Sequence, residues 1–444
     1  MNYLHLIKTK ASSYTLCILL IVNIQVQAMN LEDVYNIAET SDPQFKQVAA
    51  AKRAILELRP QAVAGFLPSA SLSANTISND QDIVIEFAGA SGKTSFNSHG
   101  YSLNVSQPIF RGDRYFQLRQ ANSLIKQADA ELSSAHQDLM LRVAEAYFNF
   151  LAAKDNLQFA EAEKKSLSKQ LDQARQRFEV GLTAITDVQE AQAGYDLAVS
   201  QEIAAQNAID NASEDLRAIT GEYFNELTGL SKDMPLIKPQ PEEIDTWTNT
   251  ALEQNLDVLS ARYAVDSARE EIRLQRSGHL PTLDLIASHG YDKSGGRFGA
   301  STIRSTTVGL ALNVPLFQGG FVSSKAREAR QRLEERLQRL EQARRQAQRQ
   351  TREAYLGVIS GISLVKALKQ AVVSSETALL STQAGLEVGT RTAVDVVVSE
   401  RITFQARRNY SRSRYDYIVN TLRLKRAAGV LSTADLTHVS RWMK

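Results

Sequence analysis

The sequence predicts a mostly α-helical chain with a β membrane part, organised as a tandem repeat of long antiparallel helical hairpins. Three observations carry that reading. A duplication runs through nearly the whole chain, two very long windows lack proline, and four stretches place apolar residues at every second position.

The duplication is plainest at two glycine turns. Phe178-Glu-Val-Gly-Leu-Thr-Ala-Ile-Thr-Asp-Val188 reappears as Leu386-Glu-Val-Gly-Thr-Arg-Thr-Ala-Val-Asp-Val396. Phe66-Leu-Pro-Ser-Ala-Ser-Leu72 matches His279-Leu-Pro-Thr-Leu-Asp-Leu285, and Glu145-Ala-Tyr147 matches Glu353-Ala-Tyr355. Thr220-Gly221 matches Ala428-Gly429 in the same order. One unit of about 200 residues therefore occurs twice, too long for a solenoid repeat. The first unit spans 29–228 and the second 244–444, with 229–243 as a linker that holds three prolines.

All nine prolines avoid 110–234 and everything after 315. Proline costs a helix interior about 3 kcal/mol, so windows of that length without it read as helix. From about 113 to 179, Leu118, Ala121, Leu124, Ile125, Ala128, Leu132, Ala135, Leu139 and Val143 mark the apolar stripe. In the second unit Ala326, Ala329, Leu333, Leu337, Leu340, Ala343 and Ala347 alternate steps of three and four. That is a narrow, alanine-rich seam of the coiled-coil type. Helices at about 31–62 and 187–220 are half as long, and stacked end to end they would match the long helix beside them. Each glycine turn joins two such helices, because glycine enters the left-handed cap without a Cβ penalty.

The period changes to two in Leu72, Ala74 and Thr76, in Tyr101, Leu103 and Val105, in Leu283, Leu285 and Ala287, and in Val308, Leu310, Leu312 and Val314. These predict four strands, joined by polar hairpin loops at about 78–99 and 289–302. Four strands cannot close a barrel, and no other segment is left to cover their apolar face. A barrel shared between copies in an outer membrane solves both problems, since spanning sheets must close and lipid replaces the cover.

Residues 1–28 read as a signal peptide: Lys8 and Lys10 precede the apolar run Tyr14–Val22, and Val26-Gln-Ala28 is a passable cleavage site. Removing it takes away the only cysteine and lowers the basic count from 51 to 49, level with the acidic count of 49. A balanced charge points to no nucleic-acid or acidic-substrate partner. Past residue 28 no window is expected to reach the apolar run of a membrane helix. The arginine-crowded stretch 325–352 is interleaved with Glu328, Glu334, Glu335 and Glu341, which reads as a solvated, salt-bridged helix face. An enzyme is not expected. His99, His136, His279, His289 and His438 form no ligand-spaced pair, and Ser166-Leu-Ser-Lys169 lies in a charged helix without companion motifs. No metal or other cofactor is implied.

Several runs carry a close resemblance to one family: Gln170-Leu-Asp-Gln-Ala-Arg-Gln-Arg-Phe178, Val180-Gly-Leu-Thr-Ala-Ile-Thr-Asp-Val-Gln189, Gly278-His-Leu-Pro-Thr-Leu-Asp-Leu285, Pro315-Leu-Phe-Gln-Gly-Gly320 and Val388-Gly-Thr-Arg-Thr-Ala-Val-Asp-Val396. They resemble the TolC family, the outer membrane factors that serve type I secretion and multidrug efflux in Gram-negative bacteria. The resemblance implies a homotrimer whose strands form a twelve-stranded β-barrel, continued by an α-helical barrel through the periplasm. It implies a passive exit duct, opened at its periplasmic entrance when a periplasmic adaptor (membrane fusion) protein and an inner-membrane ABC or proton-driven transporter dock. It also implies roles for residues. Thr186, Asp187 and Arg391 match constraint positions that hold the entrance shut, and Asp395 matches a ring of charge lining it. Val180, Gly181 and Leu182, with Val388, Gly389 and Thr390, match the turns where adaptor tips dock. Two positions depart from the pattern: Val398 stands where a second acidic ring is expected, and Leu386 where a constraint tyrosine is. The alternative is a coiled-coil spacer of the cell envelope without a conducting channel, which would need no lipid-facing alternation.

Overall fold

Two helices set the scale of the molecule. In the computed structural model, which describes residues 28–85, 90–224, 226–231, 233–296 and 299–443, α4 runs unbroken over Gly112–Glu179 and α8 over Phe321–Glu387. At 1.5 Å per residue each is about 100 Å long. The signal-peptide reading lies outside the described residues except for Ala28.

Each long helix turns back into a shorter one, α5 (Ile185–Thr220) or α9 (Ala393–Ala428), packed along its tip half. Lys164 bonds Glu202 across the first hairpin, and Arg407 bonds Glu376 at 2.7 Å across the second. The other half of α4 is flanked by α1 (Leu31–Ser41), α2 (Pro43–Leu56) and α3 (Leu58–Ala64). That of α8 is flanked by α6 (Ile244–Gln254) and α7 (Leu256–Arg276). The single helix expected over 31–62 is therefore three. Asp42 ends the first and caps the second, accepting from Phe45 N at 2.8 Å with Pro43 in the first turn, while Arg142 of α4 holds its carboxylate at 2.7 Å. Asn255 does the same between α6 and α7. It accepts from Asp257 N at 3.0 Å and donates to Ala427 O at 2.9 Å.

The alanine seam is buried as its spacing requires. Ala326, Ala329, Leu340 and Ala347 of α8 are buried, the last two against Val258 and Val265 of α7, while Ala121 and Ala128 are buried on α4. The charged stretch of α8 is laced on its outer side by i,i+4 pairs such as Glu328–Arg332 at 2.7 Å and Glu341–Arg345 at 2.8 Å. One 18-residue window of α8 has mean hydropathy 1.5, long and apolar enough to cross a membrane by length and composition, contrary to the expectation that none would. The helix pairs with α7 and α9 and buries Val358, Ile362 and Val365 in a shared core, while Leu356, Leu364 and Val373 on the same stretch stay exposed.

That shared core is a belt at mid-height, where the linker and both chain ends wrap the helices. Leu31, Tyr35, Val143, Tyr147, Phe148, Tyr417, Leu422 and Leu436 meet there, all 2% exposed or less. The duplicated tyrosines are its clamps. Tyr147 donates to Met29 O at 2.9 Å and to Thr228 O at 2.8 Å, and Tyr355 donates to Glu242 O. Gly429, at φ 79°, closes α9 where an added Cβ would lie 2.3 Å from Gln254 O, so here glycine serves both conformation and close approach.

The strands β1 (Ser69–Ile85), β2 (Ala90–Phe110), β3 (Thr282–Ser294) and β4 (Ser301–Asn313) form one antiparallel sheet in sequence order. The β2–β3 pairing joins the two repeats, with Tyr101 opposite Tyr291 and a bulge between Pro108 and Phe110, where proline has no N–H to give. Most of the expected loops at 78–99 and 289–302 are strand instead. Polar residues there pair in register up to Ile85–Ala90, because a ladder standing in water needs no apolar face to hold it. One face carries Leu72, Val308, Leu310 and Leu312, between 65% and 72% exposed. Among the described residues nothing covers that face, and lipid is the solvent that suits it.

Where the first hairpin meets α9 lies a buried carboxylate pair. Glu163 and Glu400 are 1% and 3% exposed. Arg408 pairs with Glu163 at 2.7 Å, while Glu400 receives the Ser166 hydroxyl at 2.8 Å and, among the described residues, has no cation beside it. Burial, and to a lesser degree the Glu163 charge, pushes the Glu400 carboxyl above the ordinary carboxylate range. A carboxyl whose folded-state pKa is raised binds its proton more tightly when folded. Its stabilising contribution is thus complete below the unfolded pKa and lost as pH rises through the folded one.

Two outcomes follow. Leu310→Arg or Leu312→Arg should cost roughly 2–4 kcal/mol if these residues lie at mid-bilayer, read as a lower dissociation temperature of the unheated oligomer on gels; parental stability in both variants would contradict lipid exposure. Glu400→Gln should raise the midpoint of thermal unfolding at alkaline pH and flatten its fall as pH rises above the ordinary carboxylate range. A variant with the parent's pH slope would show that Glu400 ionises freely.

Candidate functional site at the hairpin tips

Both tips are built by the same local chemistry. At the first, Leu182 N donates to Arg177 O at 2.8 Å and Gly181 N to Phe178 O at 2.9 Å. At the second, Thr390 N donates to Gly385 O at 2.8 Å and Gly389 N to Leu386 O at 3.2 Å. Gly181 has φ 78° and Gly389 φ 76°, and a Cβ on either would meet nothing within 4 Å, so glycine is present for the left-handed backbone alone. The turns thrust apolar side chains outward: Val180, Leu182 and Val388 are 68%, 71% and 75% exposed, with Thr390 exposed beside them.

The helices that leave the tips begin differently. α9 has a complete capping box. Asp395 N donates to Thr392 Oγ1 at 3.2 Å, and Thr392 N donates to the Asp395 carboxylate at 2.9 Å. That backbone N–H, then the Thr392 hydroxyl and the charge of Arg391, holds the Asp395 carboxyl below the ordinary carboxylate range. The residue matched to a charge ring is therefore also the cap of its own helix, a role legible in the Thr392-Ala-Val-Asp395 spacing. In α5 the cap residue is Ala184, without a side-chain bond, and Asp187 instead accepts from the Thr183 hydroxyl.

The structure does not bring the three constraint residues together within one chain. Thr186 is exposed, Asp187 is engaged with Thr183, and the Arg391 stem lies over Gly385, where a Cβ would stand 2.6 Å from its Cγ. Gly385 was not singled out from the sequence. Its signal is a break in the repeat: it occupies the place of Arg177, the residue whose carbonyl closes the first tip, and the missing side chain makes room for Arg391. Leu386 is half-buried, and Val398 is 45% exposed, one turn after Asp395 on the same side of α9.

Just above the tips the hairpins draw together on small residues. Leu167, Ala198 and Val397 form one cluster, joining α4, α5 and α9, and a Cβ on Gly194 would stand 3.1 Å from Val397 Cγ1. Leu171, Ala174 and Ala191 form the next, with Val188 against them. The first of these clusters joins the two hairpins, while the second lies within the first hairpin.

Comparison with known proteins agrees with this architecture. The family model described as "Outer membrane efflux protein" matches residues 34–222 and 247–430, one stretch per repeat. The outer membrane protein TolC of Vibrio cholerae serotype O1 is 37% identical over 423 residues, covering 94% of this chain and 95% of its own. The alkaline protease secretion protein AprF of Pseudomonas aeruginosa is 31% identical over 427 residues, covering 95% and 89%. The crystal structure of the CmeC outer membrane channel of Campylobacter jejuni superposes with a TM-score of 0.78 at 16% identity, over 94% of this chain and 90% of that one, which shows the shared fold. The chain belongs to the outer membrane efflux protein family, and its place is the outer membrane, with the long helices reaching into the periplasm.

Proposed function

We propose that three copies of this chain close a twelve-stranded barrel and a helical tunnel, and that the hairpin tips form an entrance held shut until an adaptor docks. The observation that carries an oligomer is the sheet: four strands with open edges at β1 and β4 need further copies before they span lipid, and the number three is what the family implies. The TolC and AprF names of the relatives support a duct for efflux or for secreted protein. The chain acts as a conduit and not as a catalyst. The driving energy comes from an inner-membrane ABC or proton-driven transporter joined through the periplasmic adaptor.

The exposed Val180, Leu182 and Val388 offer the adaptor an apolar tip surface that costs nothing to uncover. Among the described residues the Arg391 guanidinium has no hydrogen-bond or ion-pair partner, its stem lying over Gly385, so a neighbouring tip is within its choice of partners. Its planar fork suits Asp187 and the Thr186 hydroxyl of an adjacent hairpin. Exposed ion pairs are worth roughly 0–1 kcal/mol each, so three symmetric copies would hold a gate shut yet yield to a docking partner. With Leu386 in place of the tyrosine hydroxyl, fewer bonds share that closing work. Three Asp395 carboxylates facing the axis would concentrate cations at the narrowest point.

Planar-bilayer conductance tests the reading. Arg391→Ser should raise the resting single-channel conductance and admit large antibiotics into cells, and Leu386→Tyr should lower the conductance. Adding Asp187→Ala to Arg391→Ser should change little, because one interaction cannot be lost twice. Asp395→Ala should reduce cation selectivity, and Val398→Asp should increase it. Parental conductance in Arg391→Ser would leave the tips as docking surfaces only. No conductance from the assembled parent would favour a coiled-coil spacer.

A further inference from the structure

The lipid-facing side of the sheet ends in a layer of different chemistry. Along β4 and the residue that follows it, the positions of this alternation read Val314, Leu312, Leu310, Val308, Thr306, Arg304 and Thr302 from the helical end toward the hairpin end. From Val314 to Arg304 is ten residues, about 34 Å along a strand and about 26 Å along the membrane normal at a barrel tilt of about 40°. That is the height of one apolar band. Phe110 and Phe317, 48% and 88% exposed, stand at its lower edge. At its upper edge the register sets Arg304 opposite Tyr291 and Tyr291 opposite Tyr101. The next row out holds Lys293 opposite His99.

These side chains form one cluster. The Tyr101 and Tyr291 rings stack at 5.8 Å with 17° between their planes, and His99 lies 6.4 Å from Tyr291. The Arg304 guanidinium sits 5.7 Å from the centre of the Tyr291 ring, and His289 bonds the Thr306 hydroxyl at 2.8 Å one row below. Arg304, Lys293 and His99 are exposed. Among the described residues no carboxylate pairs with any of the three. Asp292 points to the opposite face, and the acidic groups of this face, Asp80 and Asp82, stand four and six residues further out along β1 from Thr76, the partner of His99. Arg304 and Lys293 therefore stand without a neutralising carboxylate at the level where a bilayer changes from tails to headgroups. The hairpin end lies opposite the periplasmic helices, so the leaflet concerned is the outer one.

We propose that this cluster seats the phosphate of an outer-leaflet lipid headgroup, with Arg304 and Lys293 on the phosphate oxygens and the tyrosine pair against the headgroup's uncharged part. Two features select that occupant. The patch is continuous with the lipid-covered face below it, so a lipid already lying on Leu310 and Val308 brings its headgroup to this row. The charge is complementary, and diagonal neighbours on adjacent strands lie about 7–8 Å apart, a span that one phosphate group bridges. Basic groups beside an aromatic belt at a membrane interface are suited to anionic headgroups.

The test uses the full-chain oligomer in neutral detergent and measures lipid retained by native mass spectrometry. The probes are a bis-phosphorylated glucosamine lipid (lipid A), the same lipid without its phosphates, and inorganic phosphate as competitor. The parent should retain the phosphorylated lipid at least about tenfold better than the dephosphorylated one, and Arg304→Gln with Lys293→Gln should lose that preference by about tenfold or more. Lys93→Gln, on the polar hairpin beyond the cluster, should leave it unchanged. Oligomer stability on unheated gels confirms assembly; if the double variant does not assemble, Arg304→Lys, which keeps the charge but loses the fork, should still reduce retention severalfold. Equal retention of both lipids, or parental retention in the glutamine variants, overturns the proposal. Competition by millimolar inorganic phosphate overturns it as well, since the site would then take free anion and not lipid.

Discussion

A strand in lipid must find a partner inside the sheet for every backbone N–H and C=O, because the hydrocarbon offers none. The rest of this molecule depends on that requirement. The chain supplies four strands in the order β1-β2-β3-β4, satisfied within the sheet and unsatisfied along both outer edges. The duplication explains how the sheet is continuous at all. Each repeat contributes one hairpin, and the β2–β3 ladder, held at its foot by the Arg111 fork on Asp284 at 2.7 Å, welds them. One chain thus makes a section of wall, and closure has to come from other copies.

The helical part obeys a complementary rule. Helices about 100 Å long have no internal core of their own, and their stability comes from the stripe each shows its neighbours. Alanine in that stripe brings backbones close, while the belt of tyrosine, phenylalanine and leucine supplies the one large apolar core. The belt also gathers the segments between repeats. Tyr147 and Tyr355, copies of one residue, clamp two different strands of connecting chain. A duplicated position has kept its side chain and its purpose while its bonding partners changed.

At the tips the same economy leaves functional groups uncommitted. The turns are closed mainly by backbone bonds, with the Thr390 hydroxyl adding one to the Gly385 carbonyl, and Val180, Leu182 and Val388 stand exposed. The capping box of its own helix, with Thr392, holds the Asp395 carboxyl below the ordinary carboxylate range, and Arg391 rests on a glycine that exists only in the second repeat. The asymmetry between Arg177 and Gly385 is the point at which the two tips become different instruments.

Much of this was legible in the residues. Proline-free windows marked the helical regions, α4 among them at about 113–179 against Gly112–Glu179, glycine marked both tips, and period-two alternation marked the strands, because each signal is a local steric or hydration rule. What stayed hidden depended on distant partners. The break at Asp42 is held by Arg142, one hundred residues away, and that at Asn255 by the Ala427 carbonyl. Strand continued through polar stretches because the ladder, and not burial, holds them. The carboxylate pair of Glu163 and Glu400 looked like two ordinary charges of a soluble helix until the α4–α9 interface buried both. The aromatic and basic residues Tyr101, Tyr291, Arg304 and Lys293 lie on three different strands and became one cluster only through register. The sequence by itself determined the elements, their period and their repeat. Tertiary structure decided which charges lose water and which side chains become neighbours, since burial and register are set by chain segments far apart in sequence.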